Sequence, residues 1–127
     1  MSDADADARA RLIALYAELA THTEPECAAR CERPLTCCEE RYCEIAMDFA
    51  RRYWNVDLPP TWHRVLPLMG PGGCTAAPHL RPICTAYTCE VCQHGEKRGD
   101  AAWTERYREL CSSIATLEAK LLGETFV

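Results

Sequence analysis

Cysteine is the residue type in this chain that could carry chemistry, with 10 cysteines among 127 residues. Nine of them form two groups that lie well apart in the sequence. The first group is Cys27, Cys31, Cys37, Cys38 and Cys43, and the second is Cys74, Cys84, Cys89 and Cys92. Neither group alone has a convenient spacing for closing four ligands around one ion, so folding would have to bring thiolates of both together. We therefore predict one shared metal centre or two adjacent ones.

The segment HLRPICTAYTCEVCQH, residues 79–94, has the most suggestive local spacing. Its Cys84-x4-Cys89-x2-Cys92 pattern reproduces the spacing of plant-type ferredoxin ligands for a 2Fe-2S cluster. The same CEVC could instead be half of a zinc site that Cys74, Cys84 or His94 completes. Spacing leaves both metals open, because each accepts four thiolates in a tetrahedral arrangement. The thiols outnumber the need of one structural zinc, which favours an iron-sulfur cluster, with 4Fe-4S ahead of 2Fe-2S.

Eight cysteines are predicted as metal ligands, namely Cys31, Cys37, Cys38, Cys43, Cys74, Cys84, Cys89 and Cys92. Cys37 and Cys38 would lie in the first turn of a helix, where the helix dipole favours thiolate over thiol. Cys27 is left between ligand and bystander, whereas Cys111 lies on the apolar side of a predicted helix and is expected in the core. Arg81 is predicted as a cofactor-binding residue that donates to a cluster sulfide, or else donates to a carbonyl.

Several of these motifs together resemble the zinc- or iron-chelating CxxCxxCC family, also called YkgJ-like. Its members carry early cysteines ending in a Cys-Cys pair, then a helix, a Gly-Cys element and an Arg-Pro-x-x-Cys element. The corresponding elements in this chain are Cys37-Cys38 in TCCEERYCEIA, Gly73-Cys74 in GPGGC, and Arg81 to Cys84 in HLRPIC. The early spacing, Cys27-x3-Cys31-x5-Cys37, is wider than in the family. The resemblance covers about half the chain, and it implies bound zinc or an iron-sulfur cluster.

Composition and charge narrow the class of protein. The formal net charge of −5 opposes binding to nucleic acid or to anionic lipid. The acidic N-terminus, MSDADADARARL, lacks the basic and apolar regions of a secretory signal, and no apolar run approaches the length of a membrane span. We therefore expect a cytoplasmic protein with no nucleic-acid or membrane partner. Thiols are kept reduced in the cytoplasm, which favours metal ligands over structural disulfides.

The apolar pattern predicts a single, mainly α-helical domain over residues 1–127. One helix is expected at about residues 5–21, with an apolar stripe that contains Leu12 and Leu19. A second is expected at about residues 36–55, where Thr36 and Glu39 have the spacing of a capping box. Residues 56–99 hold most of the prolines and glycines, and they are expected to be an irregular segment organised by metal.

The last predicted helix, at about residues 100–122, has Asp100 as its N-cap and an amphipathic repeat that Gly123 ends. Its heptad-like repeat permits a homodimer. These features lead to the hypothesis of a 4Fe-4S protein in electron transfer, or in redox or iron sensing, with a protein redox or regulatory partner. The alternatives are a non-catalytic structural-zinc interaction module and a metalloenzyme with an open metal position.

Overall fold

Helices make up most of the structure, a computed structural model that describes residues 3–30, 40–63, 66–70 and 73–127. Within these ranges the elements are α1 (Asp3–Arg30), α2 (Glu40–Trp54), β1 (Met69–Gly70), β2 (Gly73–Cys74), a 3-10 helix (Pro78–Leu80), α3 (Pro82–Ala86), α4 (Cys89–His94) and α5 (Ala101–Leu122). The mainly α fold expected from the sequence is confirmed. Each helix in the described ranges is too short or too polar to be a transmembrane segment.

The main core lies between α1 and α5, the two long helices at opposite ends of the chain. The apolar stripe of α1 is buried against the stripe of α5, and the cluster consists of Leu12, Leu15, Tyr16, Leu19, Leu110 and Ile114. Side chains three and four residues apart on each helix line up on one face, which is why both stripes face inward. Burying large aliphatic side chains stabilises the fold by roughly 2 kcal/mol each, so this helix pair is the main source of stability.

Helix α1 continues nine residues beyond its predicted end at Thr21, although it contains Pro25. A proline inside a helix costs about 3 kcal/mol, because one backbone hydrogen bond is lost and the ring crowds the preceding turn. Tertiary contacts beyond Thr21 offset this cost. His22 stacks on Trp103 with ring centroids 4.5 Å apart, and the Thr23 hydroxyl donates to the Thr85 carbonyl at 2.8 Å. These partners are distant in sequence, so a local pattern does not reveal them.

Helix α5 begins and ends where the sequence predicts. The Asp100 side chain accepts the Trp103 N–H at 3.0 Å, which satisfies one of the free donors at the helix start. Gly123 follows the last turn in the left-handed conformation, with φ of 78°. For α2, the observed bounds are Glu40–Trp54, and the predicted first turn at 36–39 lies outside the described residues.

The segment 56–99 is more regular than predicted, since it contains β1, β2, the 3-10 helix, α3 and α4. The two strands form a two-residue antiparallel ladder, in which Met69 pairs with Cys74. A second, smaller core cluster of Ala46, Leu68 and Ala76 joins this hairpin to α2. The segment also buries Leu66 and Leu80, so it contributes apolar side chains of its own to the fold.

A buried carboxyl group, that of Glu118 on α5, ties the C-terminal residues to the main core. Its side chain is fully buried, and it accepts the Tyr16 hydroxyl and the Phe126 backbone N–H, the latter at 3.0 Å. Burial raises the pKa of Glu118, although the two donors partly oppose that effect. Phe126 in turn packs edge-on against Phe49, with ring centroids 4.9 Å apart. The tail is therefore fixed across α2.

Replacing Glu118 tests how its hydrogen bonds with Tyr16 and with the Phe126 N–H contribute to the free energy of unfolding. Glu118→Gln retains an oxygen for the Phe126 N–H and offers an amide donor to Tyr16, so its free energy of unfolding at neutral pH should equal or exceed that of the wild type. Glu118→Leu leaves both donors without an acceptor, so we expect a loss of about 2 kcal/mol or more. Urea unfolding followed by circular dichroism measures both effects.

The stability of the wild type relative to Glu118→Gln should also depend on pH, and the direction of this dependence follows from the raised pKa of Glu118. The folded protein holds this proton more tightly than the unfolded chain. The stability of the wild type relative to Glu118→Gln should therefore rise as the pH falls from neutral, and level off below the ordinary carboxyl pKa of 4.5. A stability difference that stays constant over this range would contradict the assigned burial of the charge.

Candidate functional site

The predicted ligands fall into those that the structure describes and those that it does not. Cys31, Cys37 and Cys38 lie outside the described residues, and Cys27 lies within α1. The described ligand candidates are Cys43, Cys74, Cys84, Cys89 and Cys92. Of these, Cys43 is half-buried and the other four are exposed. The described part of the chain thus presents five candidate thiols, each of which a metal ion or a reagent could reach.

Cys43 packs against the second core cluster, and Cys74 lies in the hairpin that this cluster joins to α2. Cys43 is in the first turns of α2 and packs against that cluster, which includes Ala76. Cys74 is the last residue of β2, and the next residue, Thr75, anchors the strand by donating its N–H and its hydroxyl to the Leu68 carbonyl at 2.8 and 3.0 Å. These hydrogen bonds within the hairpin set the position of the Cys74 backbone.

Cys84 faces another side of the same helix. It lies in α3 and lines a cavity of about 270 Å³ together with residues along most of α2, from Tyr42 to Tyr53. Phe126 of the C-terminal tail also lines this cavity. The helix α2, the hairpin and α3 therefore each contribute one described candidate thiol, Cys43, Cys74 and Cys84. The sequence pattern gave no sign that the C-terminal tail would take part.

Cys89 and Cys92 both belong to the short helix α4, which follows α3 along the chain. Cys89 is its first residue and Cys92 lies three residues later. The Tyr87 hydroxyl is 3.9 Å from the Cys89 sulfur, whereas Cys92 borders a second cavity that is lined by Ile83 and Tyr107. The ferredoxin-like spacing from Cys84 to Cys92 therefore spans two different helices.

The chemistry of the donors suits a soft metal. Cys43, Cys74, Cys89 and Cys92 are thiols without a disulfide bond, and thiolates select zinc, copper(I) or iron-sulfur clusters. Among the described residues, no group of three or more histidine, cysteine, aspartate or glutamate side chains is close enough to hold a metal ion. A complete ligand set would consequently need cysteines beyond the described ranges.

Three of the histidines are weaker ligand candidates than the described thiols. The ring of His22 stacks on Trp103, and its Nε2 lies 2.9 Å from the Trp103 carbonyl. His79 packs edge-on against Trp54, and burial lowers the pKa of its imidazole. His63 accepts the Leu66 N–H at its Nδ1. These rings already have structural contacts, so the described thiols remain the better ligand candidates.

Cys111 has the core position expected from its place on α5. It is half-buried and packs against the main core cluster beside Tyr107. Burial raises the pKa of the Cys111 thiol, while the Tyr107 hydroxyl partly opposes this effect and the nearby Glu118 carboxyl adds to it. A thiol held in its protonated form in an apolar setting is a poor nucleophile and a poor ligand.

Arg81 fixes the cysteine-bearing segment to α1. Its guanidinium Nε donates to the Ala76 carbonyl at 3.0 Å, and a terminal nitrogen donates to the Glu24 carboxylate at 3.1 Å. The Arg81 side chain is only 13% exposed, whereas that of Glu24 is 62% exposed. Of the two predicted roles, donation to a carbonyl is therefore present in the structure. Binding of Arg81 to a cofactor stays a prediction.

Substituting Arg81 separates these two roles. Arg81→Met retains the apolar stem but leaves the buried Ala76 carbonyl without this donor, so the free energy of unfolding should fall by about 1–2 kcal/mol. Glu24→Gln removes only a largely exposed ion pair and should cost less than about 1 kcal/mol. Chemical unfolding of both variants measures the difference. Unchanged stability of Arg81→Met, together with altered metal content, would instead indicate that Arg81 acts on a cofactor.

Comparisons of the chain with protein-family models, curated proteins and solved structures find no match. The resemblance to the CxxCxxCC family therefore depends on the motif residues alone. Of those, Cys74, Arg81 and Cys84 are described, and they lie in β2, just before α3 and within α3. Their placement around α2 and α1 is the structural basis for assigning a function.

Proposed function

We propose that the protein is a cysteine-ligated iron-sulfur protein, with a 4Fe-4S cluster favoured, that acts in electron transfer or in redox or iron sensing. The observation that supports this proposal is that three separate elements, α2, β2 and α3, each contribute one accessible or half-buried candidate thiol, namely Cys43, Cys74 and Cys84. Thiols contributed by different parts of a chain are what a shared cluster site requires, because one short segment rarely surrounds a cluster.

The remaining ligands would come from Cys37 and Cys38. These residues precede Glu40, the first residue of α2, by three and two positions. With Cys43, Cys74 and Cys84, they make five candidate thiols for a cluster that takes four.

Exposure of the candidate ligands supports a role in electron exchange. Cys74 and Cys84 are exposed, so a cluster held by them would lie near the protein surface. A bound iron-sulfur cluster would supply one-electron transfer, and its potential would depend on burial and on hydrogen bonds to sulfur. A protein partner could then approach the cluster from the solvent.

Anaerobic purification followed by metal and sulfide analysis tests the proposal. We expect iron with acid-labile sulfide, about four of each per chain for a 4Fe-4S cluster, together with a visible thiolate-to-iron charge-transfer band. Colourless protein with stoichiometric zinc would contradict the proposal and support the structural-zinc alternative. A metal with only three protein donors would support the metalloenzyme alternative.

Serine variants test which thiols take part. Cys84→Ser should lose much of the bound iron and of the visible band, because a thiolate ligand is removed. Cys111→Ser is the matched control, since Cys111 packs in the main core and should leave the iron content unchanged. Equal iron content in the two variants would remove Cys84 from the ligand set, and circular dichroism verifies that each variant is folded.

A further inference from the structure

Two exposed cysteines, Cys89 and Cys92, remain once the proposed centre has its ligands. The five candidate thiols of the proposed centre, Cys37, Cys38, Cys43, Cys74 and Cys84, already exceed the four that a 4Fe-4S cluster takes, so the proposal does not require the α4 pair. This step rests on the proposed function, whereas the geometry of the pair does not. Within the described ranges, moreover, the pair has no third histidine, cysteine or carboxylate placed to complete a metal site.

Capping interactions at both ends define the geometry of α4. The Thr88 hydroxyl oxygen accepts the Val91 N–H at 3.1 Å, and the Gly95 N–H donates to the Val91 carbonyl at 2.8 Å. Gly95 itself has a φ of 75°, the left-handed conformation that ends many helices and that glycine adopts without strain. The Cys92 N–H donates to the Thr88 carbonyl at 3.0 Å, so helical geometry holds over the whole Cys-x-x-Cys sequence.

Helical geometry places the two cysteines within reach of each other. Residues three apart in an α-helix lie on neighbouring turns, with Cα atoms about 5 Å apart. Disulfides join cysteines whose Cα atoms are roughly 4.4–6.8 Å apart. Because Cys89 is the first residue of α4, its N–H is outside the helical hydrogen-bond ladder, and adjustment there can bring the two Cβ atoms together.

Both thiols are also accessible, in contrast to the thiol of Cys111. Cys89 and Cys92 are exposed, so an oxidant can approach either sulfur. The Tyr87 hydroxyl, 3.9 Å from the Cys89 sulfur, is a polar neighbour for a thiolate there. Two accessible thiols one turn apart are the arrangement in which a mixed disulfide on one cysteine is resolved by the other.

We propose that Cys89 and Cys92 form a reversible dithiol–disulfide site that exchanges with small-molecule disulfides of the glutathione class. In the first step one cysteine thiolate attacks a sulfur of the oxidised reagent, whose S–S bond breaks and whose leaving thiolate takes up the proton lost by the cysteine. In the second step the other cysteine attacks the protein sulfur of the mixed disulfide. The second reagent thiol then leaves with the second proton.

The overall exchange is balanced. The two protein thiols lose two electrons and two protons, and one oxidised reagent becomes two thiols. The reverse reaction restores the dithiol when the reduced reagent is in excess. The ratio of oxidised to reduced small-molecule thiol around the protein therefore determines whether Cys89 and Cys92 are a dithiol or a disulfide. This equilibrium does not depend on the oxidation state of the proposed cluster.

Oxidised glutathione is the probe for testing this site in the full chain, purified anaerobically with whatever metal it carries. After incubation and alkylation, we expect two fewer alkylated thiols and a product whose mass before alkylation is about 2 Da lower. Peptide mapping should link Cys89 to Cys92. A link to Cys74 or Cys84 instead, or no link at all, would overturn the proposal, and this measurement requires no variant to fold.

Variants of α4 sharpen the test. Cys89→Ser should stop at a mixed disulfide on Cys92 and should keep the metal content of the wild type. Glu90→Ser, on the same helix, is the matched control and should form the link as the wild type does. Loss of metal from Cys89→Ser and Cys92→Ser would show that these thiols are ligands, which would overturn the inference and leave the metal proposal standing. A wild type without metal that still forms the link supports the inference, although the proposed function would then fail.

Discussion

The contacts of the second half of α1 determine where the cysteines lie. Thr23 is buried and donates to the Thr85 carbonyl of α3, while Glu24 pairs with Arg81 at the start of the same helix. One turn further along, Glu26 pairs with Lys97 in the loop before α5. Without these contacts, a segment rich in proline and glycine would have little apolar area to hold it in place. The position of Cys84 therefore depends on a helix that contributes no described thiol.

The sequence predicts the two long helices well because the signals that define them, an apolar repeat and a capping residue, lie within the helices or next to them in the sequence. The stripe that includes Leu12 and Leu19, together with the cap at Asp100, can be recognised without knowing any partner. The extension of α1 through Pro25 could not be recognised in this way, because it depends on contacts with Thr85 and Trp103, which are far away in sequence. Local rules describe an isolated helix, whereas tertiary contacts decide where this one ends.

For the candidate site, the sequence indicates the chemistry but only part of the geometry. The soft donors and their two groups follow from residue types and spacing. The helices α3 and α4 were not predicted, because they are only five and six residues long, too short for an apolar repeat to show in the sequence. The tail was also missed, since its place next to Cys84 arises from Phe126 packing on Phe49 and from the buried Glu118 that accepts its N–H. A single aromatic residue near a terminus carries no periodic signal.

The distribution of the thiols relative to the core bears on what a metal would do in this protein. The main cluster consists of large aliphatic side chains and Tyr16, and Cys111 is the described cysteine that packs against it. Because α1 and α5 bury this surface without any of the proposed ligands, metal is not needed to form the main core. A structural zinc commonly supplies the folding energy that a small domain lacks. The described candidate thiols lie outside this main core, which supports the proposed redox role over that of a purely structural metal.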